Sequence, residues 1–230
     1  GTIQQIRKIA QIAHSRGALM HTDAAQSVGK VPIDVRSLEV DMLTIAGHKL
    51  YAPKGIGALY VRRGVRLEPL IHGAGHENGR RAGTENTPYI VALGKACEVS
   101  ERVLPESELR VRMLRDRLHE LLARAVPGLE LNGHPSDRLP NTLNVSFPGV
   151  DGEALLAATP ILAASTGSAC HAGRTDPSAV LMAMGLTRER ALGAVRLSLG
   201  RPTGEAEVER LGDRAACVAP PQELDSPLHP

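Results

Sequence analysis

Aromatic residues are scarce in this 230-residue chain, which has no Trp, one Phe and three Tyr. Proteins that bind single-stranded nucleic acid stack its bases on aromatic side chains, so the composition disfavours that function. The net charge of +2 is too small to predict a basic surface for nucleic acid. No apolar run reaches the roughly 18 residues of a membrane-spanning helix, and the first residues do not have the pattern of a signal peptide. We therefore expect a globular chain that binds neither nucleic acid nor membrane.

Cysteine is sparse as well. Cys97, Cys170 and Cys217 form no C-x-x-C pair, so the sequence predicts neither a disulfide framework nor a zinc site, and a reducing, cytoplasmic compartment fits best. Most free cysteines are buried and unreactive, which we expect of Cys97 and Cys217. Cys170 differs because it lies in a run of small residues, Ser165–Gly173, that is typical of an exposed loop carrying a nucleophile.

The first hundred residues alternate helical patterns with short apolar runs. A helical segment ends at Gly17, and the runs at 18–20, 42–45 and 57–61 are predicted strands. Uninterrupted apolar strands between helices are typical of a buried, mostly parallel sheet, and hence of an α/β fold. A helix is expected from Glu85 to about Val103, ended by Pro105 and followed by a second helix.

The second half of the chain has a different pattern, which predicts a compact α+β unit. The domain boundary is placed in the helical stretch near residues 104–125. Predicted strands cover 142–147, 161–164 and 194–199, and predicted helices cover 152–158, 178–184 and 205–218.

Two polar motifs follow predicted strands, His21-Thr22-Asp23 and Gly47-His48-Lys49. Taken alone, Asp23 has the features of a helix N-cap and Lys49 those of a solvated side chain. Together they have a more specific meaning. A lysine that bonds to an aldehyde, beside a carboxylate that keeps a pyridine nitrogen protonated, is the pair that an enzyme using pyridoxal 5'-phosphate requires.

Six ordered blocks carry a resemblance to a known family. They are HTDAAQSVGK (21–30), AGHKLYAPKGIGALYV (46–61), GAGHENGRRAGTENT (73–87), LPNTLNVSF (139–147), STGSACHAG (165–173) and VRLSLGRPTGEAEV (195–208). In this order they resemble the cysteine desulfurases and selenocysteine lyases, within the class V aminotransferase superfamily of fold-type I pyridoxal-phosphate enzymes. The resemblance covers nearly the whole chain apart from about its last dozen residues.

The resemblance implies a cofactor site made by five residues. Lys49 bonds covalently to pyridoxal 5'-phosphate and moves the substrate Cα proton, and Asp23 pairs with the pyridine nitrogen. Gln26 donates a hydrogen bond to the phenolic oxygen, and His48 donates to the phosphate. Thr84 reaches the phosphate of a neighbouring subunit, which implies a homodimer.

The resemblance also implies the substrate and the reaction. Arg196 holds the substrate carboxylate, a role that suits a planar fork of donors. The Cys170 thiolate attacks the sulfur of L-cysteine, which leaves a persulfide on Cys170 and releases L-alanine. His171 is either an assistant to this thiol or an ordinary loop residue. The persulfide implies a sulfur-accepting partner, such as an iron–sulfur scaffold protein.

In the terms of this family, residues 1–104 are expected to be the C-terminal part of the cofactor-binding large domain. Residues 105–219 are the small α+β domain with the cysteine loop, and 220–230 are a disordered tail. The family's upstream asparagine, ring-stacking group and Gly/Thr phosphate loop are absent, so an N-terminally truncated chain is expected. A selenocysteine lyase, or an inactive remnant that only binds a partner, remains an alternative.

Two positions depart from the family pattern. Ala46 stands where a hydroxyl residue is usual, which removes one phosphate contact, and His76 replaces a usual Gln.

Overall fold

The computed structural model describes residues 1–167 and 176–218, without the side chains of 216–218. The chain divides into two compact units: the first comprises Ile3–Glu108, and the second comprises Gly1–Thr2 and the chain from Leu109 onward. The fold is mixed α/β, as the sequence predicts. Within the described ranges, no helix combines the length and the apolar character that crossing a membrane requires.

The first unit is built on a three-stranded sheet in the order β1-β2-β3. Strand β1 runs parallel to β2, and β2 runs antiparallel to β3, with Asp23 opposite Thr44 and Ala46 opposite Gly57. Ala24, Val40 and Leu43 form the buried core beside this sheet. The elements of the unit are α1 (Ile6–His14), β1 (His21–Asp23), α2 (Val35–Leu38), β2 (Met42–Ala46), β3 (Gly57–Val61) and the first part of α3 (Thr87–Ala125).

A fully buried carboxylate joins α1 to the sheet. Asp41 accepts hydrogen bonds from the backbone nitrogen of Met20 at 2.7 Å and from His14 Nε2 at 2.8 Å, and it forms an ion pair with Arg62. Burial by itself would raise the pKa of Asp41, but the Met20 and His14 hydrogen bonds and the charge of Arg62 outweigh burial and lower it. Asp41 lies just before β2, at the end of the strand opposite to Gly47 and Lys49.

The second unit contains an antiparallel sheet in the order β4-β5-β6. Its core packs α3 against this sheet through Leu118 and Leu122 on the helix and Leu143, Val145 and Val195 on the strands. The other elements are β4 (Glu130–Leu131), β5 (Thr142–Ser146), α4 (Gly152–Ala158), α5 (Ala179–Ala183), α6 (Arg188–Leu192), β6 (Ala194–Ser198) and α7 (Glu205–Val218).

Three predictions about these elements are wrong. Pro105 does not end a helix, because α3 continues through it. The missing proline N–H removes one helical hydrogen bond, whereas the buried face formed by Leu114, Leu118 and Leu122 favours continuation. The predicted strand at 161–164 is irregular, and the neighbouring Ser165 makes only an isolated bridge to Arg196. The predicted strand at 18–20 is displaced to His21–Asp23: the oxygen of Met20 accepts from the backbone nitrogens of both Asp41 and Met42, and regular pairing with β2 begins at the next residue.

Candidate active site

The carboxyl ends of β1 and β2 lie at the same edge of the sheet, because the two strands are parallel. Asp23 is the last residue of β1, and Gly47–Leu50 forms a 3-10 turn directly after β2. The backbone nitrogen of Ala24 donates to the oxygen of Thr44 at 3.0 Å, which ties the two strand ends together. Groups that follow neighbouring parallel strands share one edge, and in α/β sheets this is the edge where ligands bind. The structure therefore brings Asp23, Gln26, His48 and Lys49 to one edge.

Gly47 fixes the start of the turn that carries His48 and Lys49. Its nitrogen donates to the oxygen of Ile56 at 3.0 Å, and its own oxygen accepts from the nitrogen of Ala52 at 3.1 Å. A Cβ at Gly47 would lie 2.7 Å from the oxygen of Ile56, closer than a side chain permits. Leu50, which is 2% exposed, anchors the other end of the turn. Between these two fixed points His48 is exposed and Lys49 is half-buried.

Asp23 presents its carboxylate outward from the end of β1. Its Oδ1 accepts from the backbone nitrogen of Ala25 at 2.8 Å, which orients the group, and its Oδ2 accepts no hydrogen bond from the described residues. Asp23 and Gln26 are both exposed, whereas Ala24 and Ala25 between them are buried. The buried alanines hold the backbone in place while the two polar side chains stay accessible to a ligand.

Lys30 is a residue of this edge that sequence reasoning missed. Its Nζ is buried and has no hydrogen-bond partner among the described residues. Burial and the charge of Lys49 lower the pKa of Lys30 from 10.5 to about 8. The only available signal in the sequence was its place at the end of the HTDAAQSVGK block, since nothing in that block shows that the side chain is buried.

Thr84 lies in the same unit, but it is not bonded to the residues at this edge. It is exposed, and in the described chain no hydrogen bond or ion pair joins it to Asp23, His48 or Lys49. Before Thr84, the backbone nitrogen of Ala82 donates to the oxygen of Ile71 at 3.1 Å, and this bond closes the loop between Ile71 and Ala82. His76, one of the departures from the family pattern, helps to line an open cavity in this loop, and its Nδ1 is buried without a hydrogen-bond partner in the described ranges.

Arg196 belongs to the second unit, where it stands on β6 opposite Asn144. Its backbone exchanges two hydrogen bonds with Ser165, at 2.6 and 3.2 Å, and its side chain is half-buried. The Oγ of Ser165 donates to the oxygen of Gly167 at 2.7 Å. Arg196 therefore anchors the chain where it enters the predicted cysteine loop.

The cysteines divide between described and undescribed parts of the chain. Cys170 and His171 lie outside the described residues, as does the side chain of Cys217. Cys97 is a free, half-buried thiol on α3, and its burial raises its pKa. A raised pKa lowers the thiolate fraction at neutral pH, so the expectation that Cys97 is unreactive agrees with its surroundings.

Comparisons with known proteins give a consistent family. The sequence model of the aminotransferase class-V family matches residues 1–211. A cysteine desulfurase from Gluconacetobacter diazotrophicus is 51% identical over 215 residues, which are 93% of this chain and 54% of that protein. The chain thus spans about half the length of the curated relatives that it matches.

Solved structures agree with the sequence comparison. The structure of a NifS-like protein superposes with a TM-score of 0.85 at 36% identity, over 95% of this chain and 57% of the other. The structure titled SspA in complex with cysteine matches with a TM-score of 0.68 at 38% identity, over 86% of this chain and 55% of the other.

Proposed function

Because the chain belongs to the aminotransferase class-V family, we propose that it is part of a cysteine desulfurase that uses pyridoxal 5'-phosphate. One observation carries this proposal. Parallel strands β1 and β2 end at the same edge of the sheet, and this edge holds a carboxylate, Asp23, and an amine, Lys49. An aldehyde cofactor with a basic ring nitrogen needs both groups on one side of the protein.

The polar groups at this edge fit the cofactor. Lys49 supplies an amine for the aldehyde, and Oδ2 of Asp23 is open to a protonated ring nitrogen. Gln26 and His48 are exposed donors for the phenolic oxygen and the phosphate. The buried, unpartnered Nζ of Lys30 adds a positive charge beside Lys49, where an anionic ligand would balance it. Bound here, pyridoxal 5'-phosphate would supply an electron-withdrawing ring that stabilises negative charge at the substrate Cα.

Four residues of the chain then have defined roles in the reaction. The Nζ of Lys49 removes and returns the proton of the substrate Cα, and the carboxylate of Asp23 keeps the ring nitrogen protonated. The guanidinium of Arg196 pairs with the substrate carboxylate. The Sγ of Cys170 attacks the sulfur of L-cysteine, so that an S–S bond forms while the Cβ–S bond breaks and its electron pair passes to Cβ. A proton taken up at Cβ completes alanine, and the persulfide stays on Cys170. L-cysteine is the proposed substrate because the SspA neighbour is titled as a complex with cysteine.

The proposal extends to assembly and partners. A homodimer is proposed through Thr84, whose exposed position leaves it accessible to a second subunit. The Cys170 persulfide would pass to a sulfur-acceptor protein or an iron–sulfur scaffold protein, in the cytoplasm. The large-domain assignment of residues 1–104 and the small-domain assignment of 105–219 belong to the same proposal.

Covalent capture at Lys49 tests the cofactor assignment. The purified chain is mixed with pyridoxal 5'-phosphate, reduced with borohydride and digested, and the modified peptide is located by mass spectrometry. We expect the label on Lys49 in the wild type and its loss in Lys49→Ala. Lys54→Ala is the matched control, because Lys54 is an exposed lysine five residues further along the chain. Equal labelling of Lys49 and Lys54 in the wild type would refute a dedicated site.

Sulfur transfer tests the reaction. After incubation with L-cysteine and cofactor, a persulfide on Cys170 is expected with an equal amount of alanine, and L-selenocysteine in a parallel assay measures the preference between the two substrates. Cys170→Ala should abolish the persulfide. Cys97→Ala should retain it, because burial keeps the Cys97 thiol protonated. Persulfide formation that survives in Cys170→Ala would show that another residue accepts the sulfur.

A further inference from the structure

Lys30 holds a charge that the proposed reaction does not use. Its Nζ is buried, and no hydrogen-bond partner exists for it in residues 1–167 or 176–218. A buried ammonium normally has a counter-charge or a set of hydrogen-bond acceptors, because its desolvation is costly otherwise. Among the described charged groups, the one that acts on Lys30 is Lys49, which carries the same sign. Two amines are therefore neighbours at this edge, and within the described residues the carboxylate of Asp23 forms a hydrogen bond or ion pair with neither of them.

Backbone packing sets the position of Lys30 relative to Lys49. Gly29 has a φ of +74°, and a Cβ there would lie 2.5 Å from Cδ2 of Leu50 and 3.2 Å from Oγ of Ser100. The residue before Lys30 thus packs directly on the residue after Lys49. Leu50 and Ser100 are both buried, so the contact is part of the core and not a surface feature. Lys30 is held beside Lys49 before any ligand arrives.

We propose that Lys30 is an anion-binding residue of the cofactor site, whose ammonium pairs with an anionic oxygen of the ligand held by Lys49. This inference rests on the proposed function, since it takes the ligand to be a phosphorylated pyridoxal. That ligand offers two kinds of anionic oxygen, the phenolate and the phosphate, and either would supply the missing counter-charge. A charge-assisted hydrogen bond to such an oxygen also satisfies a donor that is otherwise left unpaired.

The proposal has a consequence for protons. Burial and the charge of Lys49 lower the pKa of Lys30 to about 8, so part of the Lys30 amines lack the extra proton near this pH in the free chain. An anion bound to the ammonium favours the protonated form, so ligand binding raises the pKa of Lys30 and draws a proton from the buffer. A lysine that served only to fill space would contribute nothing to this uptake.

Isothermal titration calorimetry with pyridoxine 5'-phosphate tests this directly. The compound has the phenol and the phosphate but no aldehyde, so it does not bond to Lys49. Titrations at pH 8 in two buffers with different protonation enthalpies yield the number of protons taken up. We expect a net uptake of protons by the wild type. Lys30→Met should take up fewer protons than the wild type, since only the uptake at the ring nitrogen beside Asp23 remains, and it should bind about tenfold more weakly or worse. Lys54→Met, the exposed matched control, should equal the wild type in both quantities.

Two further ligands identify the oxygen. If Lys30→Met weakens the binding of inorganic phosphate and of pyridoxine 5'-phosphate but not the binding of pyridoxine, Lys30 pairs with the phosphate. If the substitution weakens the binding of both pyridoxine compounds but not that of inorganic phosphate, Lys30 pairs with the phenolate. Lys30→Arg should keep most of the affinity but take up fewer protons than the wild type, because an arginine is already fully protonated at this pH.

The inference and the proposed function fail in different ways. Equal binding and equal proton uptake by Lys30→Met and the wild type would overturn the role of Lys30 while leaving capture of pyridoxal 5'-phosphate at Lys49 intact. Loss of capture at Lys49 in the wild type would overturn the proposed function and this inference with it. Lys30→Arg keeps the positive charge and gives the same comparison if Lys30→Met does not fold: proton uptake equal to that of the wild type would overturn the inference.

Discussion

Gly47→Ala should displace the turn that carries Lys49 without removing any polar side chain. The added Cβ would lie 2.7 Å from the oxygen of Ile56, 2.9 Å from its Cγ2 and 3.3 Å from Cδ1 of Leu93. The oxygen of Ile56 is fixed, because it accepts the backbone hydrogen bond of Gly47 itself. The backbone must therefore move, and overpacking of this kind costs about 1–3 kcal/mol in the free energy of unfolding.

The same displacement should slow capture of pyridoxal 5'-phosphate at Lys49. A reacting group that is misplaced by roughly 1 Å loses about a hundredfold in rate, so a smaller shift predicts a loss of about tenfold. The assay follows the labelling of Lys49 over time after borohydride reduction at fixed intervals. Chemical denaturation of the same samples gives the change in stability.

Gly94→Ala is the matched control for this experiment. Gly94 is an exposed residue within α3, and an added Cβ there meets no atom within 4 Å. Alanine favours the helix over glycine, so this variant should gain about 0.5–1 kcal/mol and capture the cofactor at the wild-type rate. If Gly47→Ala were as stable and as fast as Gly94→Ala, close packing against Ile56 would not be what positions Lys49.

Two further predictions concern the cores of the separate units. Asp41→Asn should destabilise the first unit by about 1–3 kcal/mol at pH 7, since it removes the buried charge but leaves His14 and Arg62 partly exposed to water. The pKa of Asp41 is lower in the folded state than the unfolded value of 3.8. Its ionised carboxylate therefore contributes fully to the free energy of unfolding above pH 3.8, and this contribution is lost as the pH falls through the lower folded value. Denaturation curves of variant and wild type should converge only in that acid range. Leu122→Ala, at a side chain 2% exposed, should cost about 2–5 kcal/mol in denaturant unfolding, and Leu109→Ala, at 60% exposure on the same helix, less than about 0.5 kcal/mol. Equal effects at Asp41 in neutral and strongly acidic solution, or at Leu122 and Leu109, would contradict these assignments.

The hydrophobic pattern predicted the elements that carry an apolar run or an apolar helical face. Strands β2 and β3 and helices α4 and α7 lie where apolar spacing placed them. The pattern failed where hydrogen bonding or packing decides. Strand β1 consists of polar residues. Its regular pairing with β2 begins only after Met20, which is the last residue of the preceding apolar run. Helix α3 passes through Pro105 because a buried leucine face further along outweighs one missing hydrogen bond.

The candidate site was predictable to the extent that it depends on strand ends. Asp23 and Lys49 each follow an apolar run, and two neighbouring parallel strands necessarily present their carboxyl ends together. Lys30 was not predictable in this way. Its burial depends on Gly29 packing against Leu50, a contact between residues 21 positions apart that neither spacing nor composition reveals. The role of Cys170 stays a prediction, because that residue lies outside the described part of the chain.

Because of the contact between Gly29 and Leu50, the two amines are neighbours before the ligand binds. Since this packing holds Lys30 beside Lys49 in the free chain, the repulsion between the two amines is present before binding and does not arise from it. An anionic ligand then removes an unfavourable interaction as well as forming a favourable one, so part of its binding free energy comes from relief of this repulsion. Salt should weaken this contribution only slightly, because a buried pair is screened much less than a pair in solvent. An ammonium without a counter-charge is in this respect a preorganised half of an ion pair, and the ligand supplies the other half.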